Sequence, residues 1–165
     1  MSSEEKTLPQ PDEISSAEKD DAMGSYLMMF AAWAIGLPLP ILNLIAAVIY
    51  FYVNKKKSRF VAFHALQSLL SQIPVTLLNI ALIVWLLRIL ITGLSFTSGF
   101  FVLLGIMVCS NILYIIFSIA ALVRARKGNF LYFPFFGRVA YSRFYGPNAV
   151  SLESSVKENS PPEGY

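Results

Sequence analysis

The sequence is short of charge, and acidic residues are missing from the whole of its middle. Charged side chains make up 14% of the 165 residues and apolar ones 56%, whereas an average soluble domain is about 25% charged. The mean hydropathy is +0.60, and no Asp or Glu lies between Asp21 and Glu153. This composition excludes an ordinary water-soluble domain. It predicts an integral membrane protein with room for only a handful of spans of about 20 residues.

Cysteine and histidine are almost absent as well. Cys109 and His64 are the single residues of their kinds. A disulfide within the chain is therefore excluded, and a metal site lacks the several His, Cys or carboxylate ligands that it needs. The sequence also has no nucleophile elbow, no phosphate-binding glycine loop and no pair of carboxylates near the apolar segments. We expect no enzyme activity, no catalytic or metal site and no cofactor.

Basic residues flank the apolar segments. Such an excess is what the positive-inside rule produces, so it does not indicate a nucleic-acid partner. The rule places KKKSR and RARK in the cytoplasm, together with the C-terminal tail, and places the uncharged loop 93–98 outside a bacterial cytoplasmic membrane. Basic side chains at these positions also attract anionic lipid. The predicted interfacial or lipid contacts are Lys55, Lys56, Lys57, Arg59, Arg124, Arg126, Lys127, Arg138 and Arg143.

Three long apolar segments predict an all-α integral membrane helical bundle with three transmembrane helices. The second runs from Arg59 to Arg88 and the third from about Ser98 to Val123. The first, residues 22–54, is interrupted by Pro38 and Pro40, which break or kink a helix. It forms either one broken span, the interpretation we favour, or a hairpin that adds a fourth short helix. The hairpin would put both chain ends in the cytoplasm, whereas a single span would put the N-terminus outside.

The two ends of the chain have the composition of tails. Residues 1–21 are acidic and polar, and residues 146–165 are rich in Pro, Ser and Glu, so both are predicted to be disordered around a transmembrane domain at 22–145. Ser15 and Glu18 have the spacing of a capping box, which offers a short helix as the alternative. Aromatic residues fill eight of the sixteen positions from Phe130 to Tyr145. That segment is predicted to lie at the membrane interface.

Polar residues recur at helical spacing along the second segment. In lipid, such a stripe must face other helices or a water-filled cavity. We favour interhelical hydrogen bonds, and the alternative is a polar path through an oligomer. His64, at the cytoplasmic end of the helix, is expected to form hydrogen bonds at the headgroup level. The candidate stripe consists of His64, Gln67, Ser71, Gln72 and Asn79.

Two stretches of the sequence, KKKSRFVAFHALQSLL and GNFLYFPFFGRVA, resemble the Tic20-like membrane family. Its bacterial members are distant relatives of the twenty-kilodalton channel subunit of the chloroplast inner-envelope import machinery. The resemblance covers about residues 24–143 and implies a helical membrane bundle with a tie to polypeptide or solute movement. The matching positions are Pro38 to Asn43, His64, Ala65, Gln67, Tyr132, Pro134 and Phe135.

These features together predict a small multi-pass membrane protein that acts as a scaffold or accessory subunit of a membrane assembly. The expected partners are the lipid bilayer and other membrane subunits or further copies of the chain, and the resemblance adds protein translocation as the pathway. Two other functions stay open. One is an oligomeric channel or transporter lined by the second span, and the other is a lipid-binding regulatory protein that uses the aromatic and basic C-terminal segment.

Overall fold

A computed structural model describes residues 8–31 and 40–146, and every regular element in these ranges is helical. A short 3₁₀ turn, Met28–Phe30, continues the first helix. The tail beyond Gly146 and the first seven residues lie outside the described ranges, as does the segment 32–39 with Gly36 and Pro38. The five α-helices are α1 (Ser16–Leu27), α2 (Pro40–Asn54), α3 (Arg59–Thr92), α4 (Ser98–Arg126) and α5 (Phe136–Phe144).

The two long helices α3 and α4 form an antiparallel pair. Side-chain caps start both, since Ser58 accepts from the Val61 N–H and Thr97 from the Phe100 N–H. Gly93 ends α3 in the left-handed conformation (φ 67°), which costs glycine no steric strain. Leu82 and Ile89 of α3 pack there against Phe100 of α4. Within the described residues, these two helices alone are long and apolar enough to cross a membrane.

The first apolar segment forms a hairpin instead of one broken span. The Tyr50 hydroxyl, near the end of α2, donates to the Asp21 carbonyl of α1 at 2.7 Å, and Lys57 Nζ lies 2.8 Å from the Asp21 carboxylate. The two helices are therefore antiparallel, with the start of α1 beside the end of α2. At about 1.5 Å per residue, α2 measures about 22 Å and is too short to cross a hydrocarbon core of about 30 Å. The prediction of a broken first span was wrong.

The structure also differs from the expected boundary of the N-terminal tail at residue 21. Helix α1 begins at Ser16, because Ser15 and Glu18 form a capping box: the Glu18 carboxylate accepts from the Ser15 N–H at 3.0 Å, and the Ser15 hydroxyl accepts from the Glu18 N–H. Ile14, Ala22 and Tyr26 are buried against the ends of α3 and α4. Tertiary packing thus orders part of a segment whose composition alone predicts disorder.

The aromatic C-terminal segment turns many of its rings toward the protein. Phe130 and Tyr132 contact Phe63 of α3 at ring-centroid distances of 5.1 and 5.6 Å, and Phe133 is buried. The following helix, α5, packs on α3 through Gly137 and Ala140. Phe135 is 84% exposed and is the kind of side chain that suits a membrane interface.

Candidate functional site: a polar core at the basic end of the helices

The polar stripe of α3 faces the protein interior. His64, Gln67, Ser71 and Gln72 are buried, and Asn79 is half-buried. Along α3 the stripe divides into two parts. The part near Arg59 is hydrogen-bonded to α1 and to the segment after α4, whereas the part from Gln72 onward lines a cavity.

Gln67 forms hydrogen bonds with three groups in two other parts of the chain. Its Nε2 donates to the Tyr26 hydroxyl and to the Leu131 carbonyl, both at 2.9 Å, and its Oε1 accepts from the Phe133 N–H at 3.1 Å. Both amide hydrogens and the oxygen are therefore satisfied in a side chain that is 0% exposed. This one residue ties α1 and the C-terminal aromatic segment to α3.

His64 belongs to the same network as Gln67 and is buried within the protein near the start of α3. Its Nδ1 is 2.9 Å from the Tyr26 hydroxyl oxygen. Which of these two atoms donates the hydrogen bond depends on the tautomer of the imidazole ring. Phe60, Phe63 and Phe130 surround the ring at centroid distances of 4.5, 5.0 and 5.7 Å.

Gly137 of α5 allows this core to close. A Cβ at this position would lie 2.8 Å from the Tyr132 backbone and 2.9 Å from Gln67 Oε1, closer than non-bonded atoms approach. Only a residue without a side chain fits where α5 meets the Gln67 network.

The second part of the stripe lines a cavity of about 230 Å³ between the hairpin, α3 and α4. Asn79 of α3 and Asn111 of α4 exchange amide hydrogen bonds at 3.2 and 3.3 Å on its wall. Tyr114 also lines it, and neither this residue nor Asn111 was singled out from the sequence. The signal for them was present, since Asn111, Tyr114 and Ser118 recur at helical spacing on the third segment.

The basic clusters all lie at one end of the structure, and acidic residues of α1 meet two of them. Lys57 pairs with Asp21 at 2.8 Å and Arg126 with Asp20 at 3.3 Å. These acidic partners were missed because the sequence placed them in a disordered tail. Lys55 lies over the Tyr52 ring at 4.3 Å. The side chains of Lys56, Arg124, Lys127, Arg138 and Arg143 are exposed, and Arg59 is half-buried.

Tyr145 lies close to Arg59 at this basic end, just beyond α5. Burial raises the pKa of the Tyr145 hydroxyl above its ordinary value, although the positive charge of Arg59 opposes the shift. Tyr145 is therefore a neutral hydroxyl at physiological pH and supplies no negative partner for the basic cluster.

Comparison with known proteins identifies the family. No curated protein and no solved structure matches the chain. A family model described as the magnetosome magnetite crystal formation protein family, MamF/MmsF, matches residues 21–140, which is more than half of the chain and includes the whole polar core. The resemblance to the Tic20-like family was therefore wrong, and the link to protein translocation that rested on it falls with it. The chain is a small membrane protein that belongs to the MamF/MmsF magnetosome magnetite crystal formation family.

Proposed function

We propose that the chain is a non-enzymatic scaffold subunit of the membrane assembly in which magnetite crystals form. The observation that carries this proposal is the use made of the buried polar groups at the basic end. His64, Gln67 and Ser68 are engaged with α1 or with the segment after α4. Interhelical hydrogen bonds of this kind hold membrane helices in one arrangement. The family description names magnetite crystal formation, the process to which we assign this arrangement of helices.

The surroundings of His64 support the absence of catalysis. A general acid or base needs a reacting group within hydrogen-bond reach. His64 Nδ1 is occupied by Tyr26. Three phenyl rings close off the imidazole. These contacts favour a packing role over proton transfer.

The exposed groups at the basic end support anchoring at the cytoplasmic face. Arg138 and Arg143 are exposed on α5, and Phe135, which directly precedes this helix, is 84% exposed. An apolar ring beside basic side chains suits the headgroup region of an anionic membrane. We infer two crossings, α3 and α4, with the α1–α2 hairpin entering from the cytoplasmic side, and contacts through the exposed apolar faces with lipid and with other membrane subunits or further copies of the chain.

The decisive test separates a scaffold from an enzyme by removing the imidazole. Cells whose own copy of the gene has been deleted would receive the wild-type chain or His64→Gln, and crystal dimensions would be measured by electron microscopy. Glutamine keeps an acceptor for the Tyr26 hydroxyl and removes the ring. A scaffold predicts normal crystals wherever the variant reaches wild-type abundance in the membrane.

Gln67→Leu is the matched structural control, since it disrupts the same core without touching the imidazole. It should lower both the amount of protein and crystal formation. Abnormal crystals with His64→Gln at wild-type abundance would contradict the proposal. Mild detergent extraction of the wild-type chain should also recover other membrane proteins of the assembly in fixed ratio, and recovery of the chain alone would argue against an accessory subunit.

A further inference from the structure

The two crossings inferred above place the cavity between the hairpin, α3 and α4 near the middle of the membrane. Asn79 is thirteen residues from the end of α3, and Asn111 is thirteen residues from the start of α4. At about 1.5 Å per residue, each lies about 20 Å from the outer end of its helix. A bilayer with its interfaces is about 40–45 Å thick, so the two asparagines lie at about half of its depth.

The walls of this cavity carry polar groups without charge. Four of its polar side chains are carboxamides, and the others are two hydroxyls. Neither a carboxylate nor a cationic group is present among its described lining residues. The polar lining residues are Asn43, Gln72, Thr76, Asn79, Asn111 and Tyr114.

Two of these side chains are buried with unmet hydrogen-bonding capacity. Gln72 is 2% exposed, and neither its Nε2 nor its Oε1 has a hydrogen-bond partner among the described residues. The Tyr114 hydroxyl is also buried without a hydrogen-bond partner among the described residues. Ser71, Gln72 and Ser118 lie near that hydroxyl, but none forms a well-directed hydrogen bond with it. Buried amides and hydroxyls in folded proteins nearly always have partners, so these groups indicate an occupant that supplies them.

We propose that this cavity is a hydrated binding site for small neutral hydrogen-bonding molecules, with water as the resident occupant. A water needs only about 10–15 Å³ of such space and two to four polar partners, and the cavity of about 230 Å³ provides room for several. An ion is disfavoured as the occupant because no lining charge offsets its desolvation at this depth. The site is independent of the scaffold role, since it lies beyond the Tyr26, His64 and Gln67 network.

Thiol reactivity tests this proposal, because methanethiosulfonate reagents react with the thiolate and a thiolate forms only where water is present. The chain has one cysteine, Cys109, so Cys109→Ala gives a clean background. Thr76→Cys places a thiol in the cavity. Leu77→Cys, at the neighbouring position, places the thiol on the apolar outer face of α3, where Leu77 is 61% exposed. The protein would be purified in lipid nanodiscs and treated with neutral methyl methanethiosulfonate.

We expect Thr76→Cys to react at least about tenfold faster than Leu77→Cys, because the thiolate fraction follows hydration. Adding Gln72→Leu should lower the rate at position 76 toward that at position 77. Equal rates at the two positions would overturn the proposal. A negatively charged sulfonatoethyl reagent should react more slowly than the neutral one with Thr76→Cys, and equal rates for the two reagents would overturn the assignment to neutral molecules.

A second pair of variants keeps the test decisive if Thr76→Cys does not fold. Asn43→Cys reports from the opposite wall, on α2, and Ile45→Cys lies two residues away on an exposed apolar face. The same tenfold difference is expected. The wild-type Cys109, exposed on α4 two residues before Asn111, should react as slowly as Leu77→Cys.

Discussion

The two halves of α3 differ in what surrounds them. From Arg59 to Thr76 eleven side chains are buried, six of them polar, whereas from Leu77 to Thr92 only Leu82 and Ile89 are buried. In the far half the helix has one apolar seam with α4, and Ile91 is 81% exposed. Lipid covers such a surface as well as protein does, so apolar contact alone gives little specificity there. The comparison indicates that the basic half contributes most to fixing the arrangement of the helices, and that in the far half the Asn79–Asn111 pair is the polar contact with α4 that the described residues show.

The strongest test of this difference replaces one amide in each half by leucine. Gln67→Leu leaves the Leu131 carbonyl and the Phe133 N–H without their partner. At about 1–3 kcal/mol for each buried unpaired group, it should lower the free energy of unfolding by about 2–6 kcal/mol. Asn79→Leu should cost about 1 kcal/mol or less, since Asn111 keeps its bond to Met107 O.

Both free energies would be measured by unfolding the purified protein in mixed detergent micelles with increasing sodium dodecyl sulfate. Ser71→Ala serves as a control within the basic half, because its hydroxyl donates to Ser68 O of the same helix. If Gln67→Leu and Asn79→Leu lowered the free energy of unfolding equally, the two halves of α3 would not differ in their contribution to stability.

A pair of glycine substitutions sharpens the comparison with a smaller perturbation. A methyl group at Gly137 would meet the Tyr132 backbone at 2.8 Å, so Gly137→Ala should cost about 1–3 kcal/mol through overpacking. Gly105 of α4 has nothing within 4 Å of the same position. Gly105→Ala should therefore cost nothing, and helix propensity could stabilise it by up to about 1 kcal/mol. Thermal unfolding of both variants in one detergent measures the difference, and similar melting temperatures would argue against the close packing of α5.

Ion pairs at the basic end should contribute less to the free energy of unfolding than the buried amide side chains there. The side chains of Lys57 and Asp21 are 48% and 27% exposed, so their interaction is screened by solvent and is worth about 0–1 kcal/mol. Asp21→Asn should lower the unfolding free energy by that amount at low salt and by less at high salt. A double-mutant cycle with Lys57→Ala isolates the pair, and Asp12→Asn, on an exposed residue, is the control. An effect as large as that of Gln67→Leu would make charge the main constraint on the hairpin.

The parts of the molecule that sequence reasoning recovered are those set by local pattern. Hydropathy and the flanking charges locate α3 and α4 to within a few residues, and the helical spacing of His64, Gln67 and Gln72 places them on one face. The hairpin remained the less favoured of two interpretations, because a proline-interrupted segment has the same composition in either topology. Tyr26 was missed because its role depends on His64, thirty-eight positions away. No local signal in the sequence specifies such a contact.

The smallest predicted effect concerns the capping box that starts α1 and thereby brings Tyr26 into the core. The hydroxyl and the N–H of Ser15 donate to the Glu18 carboxylate at 2.7 and 3.0 Å, and these bonds hold the pKa of Glu18 below its ordinary value of 4.5. A lowered pKa in the folded state stabilises the protein above pH 4.5. This contribution is lost as the pH falls through the lowered value, because the protonated acid accepts more weakly.

Glu18→Gln should abolish the part of the pH dependence of stability that comes from the Glu18 carboxylate. Glutamine still accepts from Ser15 but does not ionise, so the wild-type chain should be slightly more stable at pH 7 and equal to the variant once the pH lies well below the lowered pKa of Glu18. Unfolding free energies measured across this range test the prediction, with Asp12→Asn as the control. Parallel curves for wild type and Glu18→Gln would mean that the carboxylate adds nothing to the cap. The order of α1 would then come from packing of Ala22 and Tyr26 against the long helices alone.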